Sequence, residues 1–198
     1  MKRLLRILAA VLALAPLSAR PATPPALPGD SVYQLPAALT DASGKPVEWR
    51  ELRGTPRVAT MFYTSCKYIC PLVVDSLRAI ERKLSAAERA RIGFVLISMD
   101  PARDTPEALA RIIAERKLDP ARWTLLQPDP ADLRGLAGLL GIRYRSLADG
   151  EFNHSTSLVL LDAEGRVLAR TDQLGADGDA AFLAAVRAAA ASGTGSGR

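Results

Sequence analysis

Two kinds of apolar run alternate along the chain. The first is short and nearly continuous: Arg57 to Tyr63, "RVATMFY", and Ile92 to Met99, "IGFVLISM". Runs of this length predict strands in a sheet covered on both faces. Trp123 to Leu126 predicts another short strand. Ser157 to Leu161, "SLVLL", the turn Asp162 to Gly165, and Arg166 to Ala169 predict an antiparallel hairpin. Weaker strand signals lie around Ser31 to Leu35 and near Val47, with Ser43-Gly44 marking a turn between them.

The second kind has helical spacing. Between Pro71 and Leu84, the apolar residues Leu72, Val73, Leu77, Ile80 and Leu84 fall at helical spacing. Proline just after Cys70 suits a first helical turn, where its missing N–H has no partner to lose. Thr105-Pro106-Glu107 opens a helix running to about Lys117. Asp129 to Leu140 predicts a helix stopped by Gly141, and Ala180 to Ala191 a closing helix. The order is βαβ, an inserted helical connection, then ββα, with no internal repeat. It predicts an α/β sandwich with a central mixed β-sheet and helices on both faces. A strand, a cysteine turn and a helix at the start, with a hairpin and a helix at the end, is the layout of the thioredoxin-like fold.

The ends read differently. Lys2, Arg3 and Arg6 precede an apolar run from Ile7 to Leu17, which breaks at Pro16 and is followed by Ser18 and Ala19. This predicts a signal peptide over residues 1–19. The run is shorter than the ~20 residues a bilayer span needs, so a retained N-terminal anchor is the weaker reading. No cysteine lies near the cleavage point, which argues against a lipid-modified N-terminus. Residues 20–30, "RPATPPALPGD", read as a Pro-rich linker. Residues 31–191 form the domain, and 192–198, "SGTGSGR", a flexible tail.

Removing residues 1–19 takes away three positive charges, and the net charge falls from +5 to +2. The remaining Arg and Lys are interspersed with Asp and Glu. That is a solvated surface rather than a nucleic-acid footprint. A domain of about 160 residues buries a core without staples, so the two cysteines are not needed as a framework. Export places them where disulfides form.

Cys66 and Cys70 stand four apart on the predicted strand-to-helix turn. Positions i and i+4 on a helical turn share a face, with Cβ atoms ~5–6 Å apart. A disulfide accepts Cα separations of ~4.4–6.8 Å, so the pair can oxidise with little movement. The same spacing lets two thiolates grip one ion, and a helix N-terminus favours the thiolate. A bridge closing so small a loop is a poor staple. Passive, redox and metal roles all remain open on spacing alone. His154, the single histidine, precedes the predicted strand Ser157 to Leu161 in "FNHSTSLVLL". In a thioredoxin-like layout the loop entering that strand abuts the cysteine turn, so His154 is a candidate third ligand. Two soft sulfurs and one imidazole suit copper, as Cu(I) or Cu(II). Zinc fits less well, because structural zinc takes four protein ligands, though a carboxylate could supply the fourth. Met61 and Met99 fall on predicted core strands and read as packing residues.

Three blocks, "TSCKYICP", "ISMDPARDTPE" at 97–107 and "NHSTSLVLLDAEG" at 153–165, together resemble the Sco/SenC family over roughly residues 30–190. The resemblance implies a thioredoxin-like fold, export or an N-terminal anchor, and copper held by Cys66, Cys70 and His154. It implies delivery of copper to, or reduction of the cysteines of, the CuA site of cytochrome c oxidase. The partners it implies are therefore copper and the CuA-bearing subunit or another periplasmic thiol protein, with no nucleic acid and with membrane contact only through an uncleaved N-terminus. The alternative is a thiol–disulfide oxidoreductase acting on exported proteins without stable metal binding, with Cys66 and Cys70 as its redox pair. A peroxidase is a more distant reading. Asp100 and Asp104 match a family block and read as structural, Asp100 ending a strand and Asp104 or Thr105 capping a helix. Many relatives carry Pro and Asp between the cysteines and Asp before the histidine. This chain has Lys67, Tyr68 and Asn153 there. The missing negative charges favour thiolate and disfavour Cu(II) relative to Cu(I), which adds weight to a redox role.

Overall fold

The structure is a computed structural model that describes residues 26–192. The predicted signal peptide, linker residues 20–25 and tail residues 193–198 lie outside the described residues.

The chain first forms an antiparallel pair, β1 (Ala38–Asp41) and β2 (Pro46–Glu48). The turn between them is the one predicted: Asp41 Oδ1 accepts from the N–H groups of Ser43 and Lys45, and Gly44 takes φ +82°. β3 (Arg57–Phe62) runs through the cysteine loop into α1 (Ile69–Lys83) and the single turn α2 (Ala86–Arg89). β4 (Gly93–Ser98), α3 (Pro106–Arg116) and β5 (Trp123–Pro128) follow. α4 (Leu133–Leu139) leads to a small hairpin, β6 (Tyr144–Ser146) and β7 (Phe152–His154). β8 (Leu158–Leu161), β9 (Val167–Thr171) and α5 (Ala180–Ser192) complete the domain.

The main sheet has the order β2-β1-β5-β4-β3-β8-β9. β3, β4 and β5 are parallel, and the outer pairings are antiparallel. This is the mixed sheet of a thioredoxin-like fold. β4 and β8 are buried at every position, and β3 at every position after Arg57, so both sheet faces are covered. Right-handed crossovers place α1 and α3 on the same face. α1 buries Cys70, Val73, Val74 and Leu77. Near its far end the Glu81 carboxylate accepts from Trp123 Nε1 at 3.1 Å and Arg122 Nε at 2.9 Å. The helix is thus fixed to the start of β5 while its N-terminus follows the carboxyl end of β3, the usual place for a site in such sheets. Met61 and Met99 are fully buried in the core.

Two local expectations change. Residues Val32–Gln34 form a 3-10 turn rather than a strand. Ser31 Oγ accepts the Tyr33 N–H at 3.1 Å, and Val32 and Tyr33 both turn inward, Tyr33 packing edge-on against Trp49. The N–H groups of Gln34 and Leu35 close back onto the carbonyls of Ser31 and Val32, bonds within the turn that replace a strand ladder. The predicted helix from Asp129 begins instead at Leu133. Asp129 accepts the N–H groups of Ala131 and Asp132 in a turn, and Asp132 accepts the Ala38 N–H at 2.8 Å. The β6–β7 hairpin is an addition to the predicted elements.

Candidate functional site

Tyr63, Thr64 and Ser65 carry the chain out of β3 to Cys66, and Cys70 lies in the first turn of α1. Both cysteines are free thiols and buried, while Tyr68 between them is 88% exposed. Tyr68 is also the N-cap of α1 and offers no side-chain acceptor. The first N–H groups of a helix need partners. Here the Cys70 N–H donates to Sγ of Cys66 at 3.4 Å, and the Tyr63 N–H donates to Sγ of Cys70 at 3.5 Å.

The two sulfurs are electrostatically unlike. Burial works to raise the Cys66 pKa. The N–H groups of Cys70 and Tyr68, with help from the Cys70 thiol and the Tyr63 hydroxyl, outweigh it, and the net value falls below that of an ordinary thiol. At Cys70 burial dominates, and nearby Cys66 and Asp104 push the same way, so its pKa rises far above that of an ordinary thiol. Cys66 is therefore the sulfur that ionises more readily and Cys70 the one that stays protonated, the division of labour between an attacking and a resolving cysteine.

The cysteine loop is braced from the β4–α3 connection. Asp104, fully buried, accepts from the Thr64 N–H at 3.0 Å, the Thr64 hydroxyl at 2.5 Å and the Ser98 hydroxyl at 2.5 Å. Burial raises its pKa against the pull of these hydrogen bonds. Asp104 is thus a brace, and Thr105 is the residue that caps α3, accepting from the Ala108 N–H at 3.3 Å. Asp100 follows β4 and accepts from Arg103 Nε. Ser65 Oγ, buried in the same loop, has no hydrogen-bond partner among the described residues.

His154 ends β7, paired with Tyr144 across the hairpin. Its Nδ1 lies 3.1 Å from the Ser155 carbonyl. A carbonyl only accepts, so Nδ1 carries the proton and Nε2 keeps the lone pair a metal would use. The ring meets Tyr63 edge-on, with centroids 5.9 Å apart. It lines a surface hollow with Arg143, Tyr144 and Arg145, whereas Cys66 and Cys70 share a cavity with Tyr63 and Pro71. Among the described residues, no three His, Cys, Asp or Glu side chains converge on one ion position. The structure brings the two sulfurs together and sets the imidazole against Tyr63, which touches both cysteines.

Tyr63, Glu151, Arg103 and Thr64 were not singled out by the sequence reading. The Tyr63 hydroxyl donates to Glu151 Oε2 at 2.7 Å, and Arg103 donates to the Gly150 carbonyl. These contacts pin the hairpin. The only signal available was that Tyr63 and Thr64 immediately precede the cysteine turn.

The sequence model of the SCO1/SenC family matches residues 28–190. A Stutzerimonas stutzeri protein, provisionally named as copper-binding, is 28% identical over 131 residues, which span 64% of this chain and 63% of that protein. The SCO1 protein homolog of Bacillus subtilis is 25% identical over 136 residues, 67% of this chain and 70% of that one. Among solved structures, Bradyrhizobium japonicum ScoI with copper bound superposes with a TM-score of 0.61 at 26% identity, covering 76% of this chain and 96% of that one.

Proposed function

The chain belongs to the SCO1/SenC family, and from that premise we propose that it carries copper as cargo, delivering it to, or reducing the cysteines of, the CuA site of cytochrome c oxidase. The observation that carries this reading is the sulfur pair at the carboxyl end of β3, with Cys66 favoured as thiolate and Cys70 beside it. Two soft sulfurs and a neutral imidazole fit Cu(I), and the same set can hold Cu(II). The relatives named above include one with a copper-binding name and one solved with copper bound.

The proposed ligands are Cys66, Cys70 and His154. Ligation by all three needs the hairpin to close toward the sulfurs. β6–β7 is a two-stranded sheet of its own, so its movement breaks no ladder bond of the main sheet. An isolated hairpin is marginally stable, which makes it the part that moves. We place the protein outside the cytoplasm on the strength of the predicted signal peptide. Among the described residues no helix is long and apolar enough to cross a membrane.

A second reading draws on the unequal sulfurs. Thiolate Cys66 attacks a target disulfide, forming a mixed disulfide and releasing one target thiolate. Cys70 gives up its proton and attacks Cys66 Sγ, releasing the second target thiol. The target gains two electrons, one proton from Cys70 and one from solvent, and the protein leaves with a Cys66–Cys70 disulfide.

Copper titration of the reduced protein, with and without His154→Ala, separates the two. The copper reading expects one equivalent held tightly and at least a tenfold loss of affinity in the variant. Equal affinity in both proteins would exclude His154 as a ligand and favour the thiol reductase.

A further inference from the structure

The start of α1 departs from what a helix terminus favours. Tyr68 is its N-cap, where an aromatic side chain offers no acceptor, and it stands 88% exposed between two buried cysteines. Leu72, four positions on and so on the same helical face, is 41% exposed. No apolar residue precedes the cap to staple against Leu72, because Lys67 holds that place. Neither side chain caps the helix or fills the core. Among the described residues the exposed large apolar side chains fall in two places. Val167 and Leu168 belong to the edge strand β9, at the end of the sheet remote from the cysteines. Tyr68 and Leu72, with Leu147 in the hairpin loop, lie at the cysteine end.

The charges at this end are unequally committed. Each carboxylate is engaged within the protein: Asp104 by Thr64 and Ser98, Asp100 by Arg103, Glu151 by the Tyr63 hydroxyl, and Asp149 by the Glu151 N–H. Lys67, Arg143 and Arg145 are exposed, and their side chains make no ion pair or hydrogen bond among the described residues. Tyr144 pairs with His154, whose ring meets Tyr63, so Arg145 and its cross-strand partner Asn153 project from the other, outer face of the hairpin. Arg143 and Arg145 both line the hollow beside His154. A guanidinium pairs with carboxylates through two parallel bonds, and two of them wait here without one.

We propose that Tyr68 and Leu72 are the apolar centre, and Lys67, Arg143 and Arg145 the cationic rim, of a docking face for a partner protein that presents its own sulfur on an apolar segment flanked by carboxylates. The proposal deepens the reading above and rests on it for the premise that the partner is a thiol protein. Cys66 and Cys70 are buried, so sulfur chemistry or cargo transfer needs a partner pressed against this face. Exposed apolar patches mark such contacts, and tyrosine is among the residues that concentrate their energy. The rim selects the sign of the partner and speeds its approach.

The test follows exchange of the reduced full chain with three peptides, Gly-Leu-X-X-Cys-X-X-Leu-Gly, in which X is Glu, Ser or Lys. Each peptide cysteine is held as a mixed disulfide with 5-thio-2-nitrobenzoate. The Cys66 thiolate attacks the peptide sulfur, and nitrothiobenzoate leaves as the coloured thiolate. Cys70 then bonds Cys66 Sγ and its proton goes to the departing peptide thiol. The peptide disulfide has taken two electrons, and the protein holds a Cys66–Cys70 disulfide. Every rate is divided by the same protein's rate with 4,4′-dithiodipyridine, a small uncharged disulfide, so that differences in sulfur reactivity cancel. At low salt, about 20 mM, the acidic peptide reacts about tenfold faster than the basic one, and at about 0.5 M the two agree within about twofold. Arg143→Gln/Arg145→Gln cuts the low-salt preference to about threefold or less. Tyr68→Ser slows all three peptides about fivefold while the urea midpoint stays or rises, because serine caps a helix better than tyrosine. Tyr68→Phe keeps the peptide rates. Equal rates for acidic and basic peptides at low salt, a preference untouched by the double substitution, or a Tyr68→Ser protein as fast as the unsubstituted one would overturn the proposal. No arm contains copper, so failure of the docking face and failure of the copper site are told apart.

Discussion

The backbone N–H of Cys70 lies 3.4 Å from Sγ of Cys66. A helix whose N-cap supplies no side-chain acceptor thus takes one from a sulfur, and that sulfur sits where unpaired N–H groups and the helix dipole favour negative charge. Local sequence sets this up: the cysteines are four positions apart, and the second falls inside the first helical turn.

The unequal cysteines give the first prediction. At pH 7 iodoacetamide is expected to modify Cys66 rapidly and leave Cys70 unmodified, because Cys66 ionises below the ordinary thiol range and Cys70 far above it. The signs for stability are opposite. The contribution of Cys70, with a raised folded value, is full below about pH 8.5 and is lost as pH rises beyond it. The contribution of Cys66, with a depressed folded value, is present above about pH 8.5 and lost as pH falls through its folded pKa. Cys70→Ser should therefore lose less stability between pH 8 and 10 than the unsubstituted protein. Peptide mass spectrometry after alkylation, and urea midpoints across that range, check both. Rapid labelling of Cys70 in the folded protein would refute the assignment.

Asp104 gives the second. Asp104→Leu leaves the Thr64 N–H, the Thr64 hydroxyl and the Ser98 hydroxyl without their buried acceptor. Stranding such donors costs about 3 kcal/mol. Asp104→Asn keeps one acceptor oxygen, and the hydroxyls can reverse to accept, so it costs about 1 kcal/mol. Because burial raises the folded pKa of Asp104, its contribution is full below the unfolded value near pH 4 and is lost as pH rises through the folded value. Asp104→Asn should flatten that slope. Urea unfolding at pH 4 and pH 7 reads it, with the denaturant slope unchanged.

The strands that carry the fold were legible because they are buried on both faces. Phe94 and Trp123, which stack across β4 and β5, sit in runs whose hydrophobicity has no competing reading. The cysteine turn was legible from Pro71 and the helical spacing after it. The hairpin was not. Each of its strands has three residues, and Arg145, Ser146 and Asn153 are exposed, so neither alternation nor composition separates it from a loop. The link between Tyr63 and Glu151 crosses 88 positions, and a pairing of that range leaves no local trace. Residues 31–35 misled for a specific reason: a strand-like apolar run can equally be a 3-10 turn in which Val32 and Tyr33 are both buried.

Gly165 gives a third prediction, independent of the site. It closes the β8–β9 turn at φ +82°, and an added Cβ would lie 2.5 Å from Tyr33 Cδ2 and 2.7 Å from Ser31 Oγ. A left-handed backbone and a clash with a buried ring act together, so Gly165→Ala should cost about 3 kcal/mol. Thermal unfolding measures it. A loss under about 1 kcal/mol would mean that Tyr33 can move aside, against its complete burial.

The last prediction concerns the second pin of the hairpin. Arg103 is half exposed, so its pairing with Asp100 adds little to global stability, yet its guanidinium also holds the Gly150 carbonyl. Arg103→Gln should leave the urea midpoint within about 0.5 kcal/mol of the unsubstituted protein, as expected of a surface substitution. It should also speed amide exchange in residues 147–151 about tenfold, since a local opening no longer breaks that bond. The effect belongs to the turn alone: the brace from Asp104 to Thr64 is made by other atoms, and exchange in α1 should not change. If the turn exchanges at the unsubstituted rate, the hairpin is held by the Tyr63–Glu151 link and its own ladder, and Arg103 serves only to neutralise Asp100.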